Sequence, residues 1–413
     1  MLRLRKGPRS ALIAAGSLLF AVLAAGCAAD RHRADPNAAD WNTPALAAQP
    51  AAAPAPTPPA APAPPPKPPA EPPPAPAPPL LSTGEVFETW VPLQDWCKSA
   101  GLSAPCQVSA APTPAYALVT SNGVFVLRAG SQALLWDGLE CRLGFAPEVV
   151  QGQPFVHSLD LKKTLEPLMA NGPVTFLKTN PSIVIDPGHG GEDSGTRSIL
   201  GNHYEREYTL DWAQRLAGLL STNGWQVFLT RTNDVHISLS NRVAFAEDHK
   251  AGLFLSLHFN SAGANLRESG LETYCLTPAG MFSSLTRGYD DDPGLIFPNN
   301  AFDAENVQLA AWVHRALLQV NGRNDRGVRR ARYLSVLRAQ NRPAILVEGG
   351  YLSNPTEARR IADPAYRQKL AEAIAKALVQ HYDIHAPNPE PPLPTLQVQS
   401  QSLDAVSTNL VRP

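Results

Sequence analysis

The sequence lacks an excess of charge of either sign. Its 413 residues include 35 lysine and arginine residues against 36 aspartate and glutamate residues. This balance gives no electrostatic basis for binding nucleic acid or an anionic membrane surface, so we expect no nucleic-acid partner. Beyond residue 30 the chain also has no apolar run long enough to cross a bilayer.

Cysteine is scarce, with five residues in the whole chain. Three of them, Cys97, Cys106 and Cys141, cluster in one region, and none has the spacing of a cysteine zinc site. In an oxidising compartment one disulfide could form within this cluster, and Cys97–Cys106 would close the shortest loop. Because three thiols cannot all pair, at least one of them would stay free.

The N-terminus has the organisation of an export signal. Basic residues within the first nine precede a largely apolar run over residues 11–26. The run ends in Leu23-Ala24-Ala25-Gly26-Cys27, which resembles a bacterial lipobox and predicts a lipoprotein-type signal peptide over residues 1–27, with a lipid anchor on Cys27. The alternative is an ordinary signal cleaved after Ala29. The first interpretation predicts a lipid-anchored protein of the cell envelope or periplasm. Ala28 after the lipidated cysteine favours the outer membrane, whereas the alternative predicts a secreted soluble protein.

Proline is concentrated near the N-terminus, with 18 of the 42 prolines between residues 41 and 80. Residues 28–84 are dominated by proline and alanine and cannot build a packed core, so they predict an extended linker. Residues 386–413 are polar and proline-rich, and we expect a disordered tail there.

Residues 85–172 have a globular composition and predict a small, mainly β domain. A helix is expected to open at Trp90–Trp96, and strand-like runs follow at 116–120, 123–128, 132–136 and 139–150. The pattern resembles the small N-terminal-like domain named after copper amine oxidases, which recurs in secreted bacterial cell-wall proteins. The resemblance implies no copper chemistry, and we interpret His157 as a structural residue.

Residues 181–385 predict an α/β fold with a mostly parallel sheet covered by helices on both faces. Apolar runs typical of strands alternate with helical periodicity throughout this segment. Strands are expected at 182–186, 225–230, 253–257, 271–276 and 344–348, and helices at 206–222, 241–250, 307–320 and 365–381.

Four residues that can bind metal or move protons lie where these elements begin or end. His189 and His258 follow the strands 182–186 and 253–257, Glu205 opens a helix, and Glu348 ends a strand. Sites in such sheets form beyond the carboxyl ends of the strands, where these side chains can converge. Two imidazoles and a carboxylate suit zinc with an open water position, and a second carboxylate suits a general base. The alternative is that these histidines satisfy local hydrogen bonds in loops.

Six sequence blocks carry a resemblance to a known family. They are Ile185-Asp186-Pro187-Gly188-His189-Gly190-Gly191, Glu205-Arg206 followed by Leu210, Leu229-Thr230-Arg231-Thr232, Ser256-Leu257-His258-Phe259-Asn260, Arg326-Gly327-Val328 and Val347-Glu348-Gly349-Gly350-Tyr351-Leu352-Ser353-Asn354. In this order they resemble the zinc-dependent N-acetylmuramoyl-L-alanine amidases.

The resemblance implies one Zn²⁺ per catalytic domain, held by His189, Glu205 and His258, with Glu348 as the catalytic residue. It implies hydrolysis of the amide bond between N-acetylmuramic acid and L-alanine in peptidoglycan, for cell-wall turnover or daughter-cell separation. Glu205 is preferred to Glu207 as the ligand because its distance from Leu210 fits the family spacing. A requirement for a protein activator stays open.

Two other functions remain possible on the sequence alone. One is a catalytically silent lipoprotein that binds the cell wall, and the other is a zinc peptidase that cuts within the stem peptide.

Residues 277–306 form an insert with several glycines and prolines. Their composition predicts a loop at the rim of an open cleft rather than a helix that plugs it.

Overall fold

The computed structural model describes residues 90–110, 112–170, 181–286, 291–322 and 324–382. The predicted signal peptide with Cys27, the linker and the tail lie outside the described residues. In the part of the chain that the structure describes, no helix is both long enough and apolar enough to span a bilayer.

The first region, up to residue 170, is built mainly of short strands, as predicted. Its elements are β1 (Trp90–Pro92), α1 (Leu93–Ser99), β2 (Cys106–Ser109), β3 (Ala115–Thr120), β4 (Gly123–Arg128), β5 (Ala133–Trp136), β6 (Leu139–Arg142), β7 (Glu148–Val150), β8 (Gln153–His157), α2 (Ser158–Asp160), a π-helical turn (Leu161–Leu165) and α3 (Glu166–Met169).

The second region alternates strands with helices. Its elements are β9 (Ser182–Pro187), α4 (Glu205–Thr222), β10 (Gln226–Leu229), α5 (Leu239–Asp248), β11 (Leu253–Asn260), β12 (Leu271–Cys275), a 3₁₀ turn (Pro298–Phe302), α6 (Asp303–Asn321), β13 (Asp325–Arg330), α7 (Ser335–Arg338), β14 (Ala344–Tyr351), α8 (Pro355–Ala362) and α9 (Pro364–Tyr382).

Six strands of the second region form one half of a large sheet in the order β10-β9-β11-β14-β12-β13. Every neighbouring pair in this half is parallel except β12 with β14. Helices α4, α6 and α9 cover one face, where Ile183 and Ile185 point, and α5 and α7 cover the other, where Val184 points. The predicted fold class is therefore confirmed, with β12 as the exception to the parallel pattern.

The same sheet continues into the first region. β13 pairs in parallel with β6 at Val328 and Cys141, and β5, β4, β3 and β2 follow in antiparallel order. The small β domain predicted over 85–172 thus shares one 11-stranded sheet with the second region. Its predicted boundaries stay a prediction. Five of its strands, β2 to β6, extend the large sheet, whereas β1, β8 and β7 form a separate three-stranded antiparallel sheet.

Two local predictions in the first region were wrong. Trp90–Pro92 is a strand paired with β8, and the helix begins only at Leu93. The run 139–150 is two strands, because the Asp160 carboxylate accepts hydrogen bonds from the backbone N–H groups of Gly144 and Phe145 and holds a turn there.

The disulfide considered for Cys97 and Cys106 does not form. The four cysteines among the described residues are all free thiols. Cys97 lies buried in α1, whereas Cys106 is exposed on β2, the last strand of the sheet. Because one thiol faces the core and the other faces solvent, the two cannot bridge without rearrangement of the backbone.

Candidate active site

His189 is held in a tight loop directly after β9. Its backbone φ is +61°, and φ is +134° at Gly190 and +60° at Gly191. Positive φ values are unfavourable for a residue with a Cβ, such as His189. A hydrogen bond from a buried side chain stabilises the loop in this conformation. The Arg242 guanidinium, which is buried, donates to the carbonyl oxygen of His189 at 2.9 Å. The loop therefore aims the imidazole in one fixed direction.

Glu205, the first residue of α4, is buried with its carboxylate fixed from two sides. The backbone N–H of Thr196 donates to Oε2 at 3.0 Å, and the backbone N–H of Phe259 donates to Oε1 at 3.0 Å. Phe259 follows His258 on β11. The carboxylate of Glu205 therefore ties the start of α4 to the strand that carries the second histidine.

His258 lies near the end of β11 with its Nδ1 atom 2.9 Å from Oε1 of Glu205. The two histidine rings and the Glu205 carboxylate can approach one another only because two nearby positions are glycines. A Cβ on Gly188 would lie 2.2 Å from the His258 ring, and a Cβ on Gly195 would lie 2.6 Å from the His189 ring and 2.7 Å from the Glu205 carboxylate. Only glycine leaves room for these side chains.

The three predicted ligands come together in the structure. Nε2 of His189 lies 3.2 Å from Oε2 of Glu205, and the two imidazole rings are 4.9 Å apart at 80° to each other. One donor atom from each of the three side chains lies within 4.8 Å of the others, and all three residues are buried. This arrangement can hold one metal ion.

The electrostatics of the site fit a cation. Burial lowers the pKa of His189, but Glu205 and Asp193 outweigh burial and raise it to about 10. Burial would raise the pKa of Glu205, yet the two histidines hold it far below its ordinary value. Burial lowers the pKa of His258. The site therefore combines a permanent carboxylate with one imidazole that stays neutral, the form that binds metal, and with a second imidazole, that of His189, which must release its proton when a metal binds.

Glu348 lies beside this cluster on β14. It is the register partner of His258 on β11 and of Glu272 on β12. Register partners on neighbouring strands project from the same face of a sheet, about 5 Å apart. Glu348 is 4% exposed. The fourth predicted residue therefore flanks the metal-ligand cluster.

Asp193 is a site residue that the sequence analysis missed. Its Oδ1 atom lies 2.7 Å from Nδ1 of His189, and it also accepts a hydrogen bond from the backbone N–H of Gly195. A carboxylate on the far nitrogen of a metal-binding imidazole fixes its orientation and its tautomer. Its position four residues after His189, within the same glycine-rich loop, was the available signal.

The two histidines that the sequence did not favour as metal ligands, His203 and His157, also have clear partners. Nδ1 of His203 lies 2.9 Å from Glu207, and both side chains are largely exposed. His157 is buried and stacks on Phe145 with ring centroids 3.8 Å apart. Among the described residues neither histidine belongs to a group that could hold a metal.

The described part of the insert, residues 277–286 and 291–306, does not rim the site, contrary to the prediction. β12 runs antiparallel to β14, with Glu272 beside Glu348 at the site and Tyr274 beside Leu346 further away. The insert follows the far end of β12, so its described part lies at the opposite end of the sheet. It is a loop there, as its composition predicted, until the 3₁₀ turn before α6.

The comparisons with known proteins agree with this geometry. A family profile for N-acetylmuramoyl-L-alanine amidase matches residues 183–380. The crystal structure of an N-acetylmuramoyl-L-alanine amidase from Clostridium difficile 630 is 31% identical and covers 50% of this chain and 99% of its own, with a TM-score of 0.41. Residues 183–380 of the chain belong to the N-acetylmuramoyl-L-alanine amidase family.

Two curated relatives give the extent of the likeness. The N-acetylmuramoyl-L-alanine amidase AmiA of Escherichia coli K12 is 27% identical over 221 residues, which cover 48% of this amidase and 75% of AmiA. The probable cell wall amidase LytH of Staphylococcus epidermidis is 32% identical over 211 residues, covering 50% of this chain but only 61% of LytH. The predicted family and enzyme class are confirmed for the second region, where the family profile matches.

Proposed function

We propose that this amidase hydrolyses the bond between N-acetylmuramic acid and L-alanine in peptidoglycan with one Zn²⁺ held by His189, Glu205 and His258. The observation that carries the proposal is the meeting of these three buried side chains, with donor atoms within 4.8 Å of one another. They come from a loop, a helix start and a strand that are far apart in sequence. Such convergence beyond the ends of parallel strands is typical of a functional site.

The donor set fits zinc. Two imidazoles and one carboxylate are a common ligand set of catalytic zinc, which keeps a fourth position for water or substrate. Asp193 on the far nitrogen of His189 is the kind of outer partner that such ligands usually have. When bound, zinc would supply a Lewis acid that polarises the substrate carbonyl and makes water more acidic.

Glu348 is the candidate general base and acid. Its place beside His258 puts a second carboxylate next to the metal ligands. It would accept the proton of the attacking water and then deliver that proton to the departing amine of L-alanine. Glu205 cannot take this role, because its oxygens accept backbone hydrogen bonds and face the two histidines.

The two competing functions are disfavoured to different degrees. A silent cell-wall-binding protein would not need a buried cluster of ligands together with a flanking carboxylate, and the chain has all four residues. A zinc peptidase acting within the stem peptide could use the same ligands, so the site chemistry alone does not separate it from an amidase. The identity of the product does.

The lipid anchor on Cys27 and the outer-membrane location remain predictions from the N-terminal sequence, and the requirement for a protein activator stays open. In this proposal the anchor and the linker over 28–84 would hold the enzyme in the cell envelope within reach of peptidoglycan. If the alternative signal cleavage applies, the same enzyme is secreted and soluble.

The metal centre is tested by zinc content. The purified full chain is expected to bind one zinc per molecule, and alanine at His189 or His258 should abolish this binding. His203→Ala is the matched control, because this histidine lies near the start of α4 but is exposed and pairs with Glu207. Retention of one zinc by the His189 and His258 variants would contradict the proposal.

A further inference from the structure

Arg231 is buried below the active site, although its sequence block carries no metal-ligand chemistry. It is the second residue after β10 and is 2% exposed. Within the described part of the chain, its recorded hydrogen bonds go to four backbone carbonyls and one hydroxyl, and none goes to a carboxylate. Burying a guanidinium without such a partner costs free energy, so these contacts need an explanation.

On one side the guanidinium of Arg231 holds the loop that carries His189. Nε donates to the carbonyl of Pro187 at 3.0 Å, and Nη2 donates to the carbonyl of Gly188 at 2.8 Å. The loop also packs on the stem of the side chain, since a Cβ on Gly190 would lie 2.9 Å from Cδ of Arg231. Arg231 thus contacts the residues on both sides of His189.

On the other side the same Nη2 holds the first turn of α4, which begins with Glu205. It donates to the carbonyl of Arg206 at 2.9 Å and to the hydroxyl of Thr209 at 3.1 Å. The Thr209 hydroxyl in turn donates to the carbonyl of Gly188 at 2.9 Å and is fully buried. One nitrogen therefore joins the residue before His189 to the residue after Glu205.

We propose that Arg231, with Thr209, is a positioning residue that sets the separation of His189 and Glu205 and thereby the affinity of the site for zinc. This inference rests on the proposed zinc site and extends it to residues that touch neither metal nor substrate. A planar guanidinium can donate to several carbonyls at once in fixed directions. An ammonium group on a flexible stem cannot hold the same three carbonyls, so lysine should not substitute for arginine here.

The test compares the zinc dissociation constants of full-length variants by competition with a chelator. Arg231→Lys is expected to weaken zinc binding by about 10- to 100-fold, the range typical of outer partners of metal ligands. Thr209→Val, which removes the hydroxyl but keeps the shape of the side chain, should also weaken zinc binding. Thr209→Ser, which keeps the hydroxyl, should bind zinc like the unsubstituted protein. The visible absorption of the cobalt-loaded protein should change in Arg231→Lys, since it reports ligand geometry directly.

Arg342→Lys is the matched control. Arg342 is also buried and donates to two carbonyls, those of Ala246 and Ala251. Unlike Arg231 it also pairs with the Glu247 carboxylate, and it precedes β14 at the end of the sheet away from the site. Its replacement should lower the thermal stability and leave the zinc affinity of the folded protein unchanged.

Unchanged zinc binding in both Arg231→Lys and Thr209→Val would overturn the inference, and so would an equal loss of zinc affinity in Arg342→Lys. If Arg231→Lys fails to fold, the zinc affinities of Thr209→Val and Thr209→Ser test the inference by themselves. An unsubstituted chain that binds no zinc would overturn the proposed metal centre as well, so the two failures are distinguishable.

Discussion

At the scale of single residues, a substitution of Glu348 distinguishes the binding of the metal from the catalytic step, because the proposed role of Glu348 is proton transfer alone. Because it flanks the ligands without belonging to their cluster, Glu348→Ala should still bind zinc. Turnover should fall by about 10²- to 10⁴-fold, the usual contribution of a general acid–base residue. Zinc content and peptidoglycan hydrolysis are measured on the same preparation.

Glu207→Ala is the control for that substitution. The side chain of Glu207 is 40% exposed and pairs with exposed His203, two residues along α4 from the proposed ligand Glu205. Its loss should leave both zinc content and turnover close to those of the unsubstituted protein. Substantial hydrolysis by Glu348→Ala would show that another group moves the proton.

A second prediction concerns pH and the buried carboxylate beneath the His189 loop. Burial would raise the pKa of Asp186, but the ion pair with Arg242 and the hydroxyls of Thr230 and Ser256 outweigh it and hold the pKa below its ordinary value. A lowered aspartate pKa contributes stability above the unfolded value, about 3.9. That stability is lost as the pH falls through the folded pKa.

Asp186→Asn should therefore destabilise the protein by about 3–5 kcal/mol at neutral pH, the usual loss when one partner of a buried ion pair is removed. The difference from the unsubstituted protein should shrink as the pH falls below about 4. Urea unfolding at several pH values measures it. A difference that stays constant down to low pH would mean that the charge of Asp186 contributes nothing to stability.

The residues of the candidate site were largely predictable, because each follows a strand or opens a helix in a recognisable pattern. His189, Glu205, His258 and Glu348 were all selected from the sequence, and the structure brings the first three together. The residues that hold these side chains in position were not predictable. Arg231 reaches the loop carbonyl of Pro187 across 44 residues, and no local pattern reports such a contact.

At the scale of elements, the five apolar strands and four long helices of the second region were predicted, whereas the charged strand β13 and the short helices α7 and α8 were missed. β13 has the sequence Asp-Arg-Gly-Val-Arg-Arg, with four charged residues out of six, and so lacks the alternation that marks a strand. It forms because its backbone pairs with β12 on one side and β6 on the other. Pairing with distant strands, rather than local preference, decided its structure.

The insert after β12 gives a prediction at the same scale. Arg332 is fully buried, forms an ion pair with Asp291 and donates to the carbonyls of Pro278 and Met281, so it fastens the insert to the sheet. Asp291→Ala should destabilise the protein by about 3–5 kcal/mol, because it leaves a buried guanidinium uncompensated. Urea unfolding measures the loss.

The turnover of folded Asp291→Ala should stay unchanged, because the described part of the insert lies at the end of the sheet away from Glu348. Asp292→Ala is the control, since this neighbouring carboxylate is exposed and accepts a local hydrogen bond from the backbone N–H of Gly294. A marked rise in activity on loss of Asp291 would instead indicate that the insert restrains the active site.

At the scale of the whole molecule, the shared sheet makes the first region part of the catalytic fold. His314, which is fully buried on α6, contacts Asp325 on β13, and Asp325 accepts a hydrogen bond from the backbone of Glu140 on β6. The Arg315 guanidinium stacks over the Trp136 ring at 4.0 Å. The sequence predicted a separate domain, because parallel pairing between β6 and β13 joins residues about 187 positions apart.

A fragment of residues 181–385 should therefore be less stable and less soluble than one of residues 90–385. Its β13 would become an unpaired edge, which favours aggregation. Thermal unfolding and light scattering of the two fragments measure the difference, and the longer one should unfold in a single transition. Equal stability of the two would show that the first region is a separable module.

The central claim is that this zinc site cuts the muramoyl–alanine amide bond. The most direct test incubates the full chain and zinc with purified peptidoglycan and identifies the soluble products by mass spectrometry, with a chelated sample and Glu348→Ala as controls. We predict stem peptides that begin with a free L-alanine amine and that are absent from both controls. Peptides cut within the stem, with the bond to N-acetylmuramic acid intact, would contradict the account.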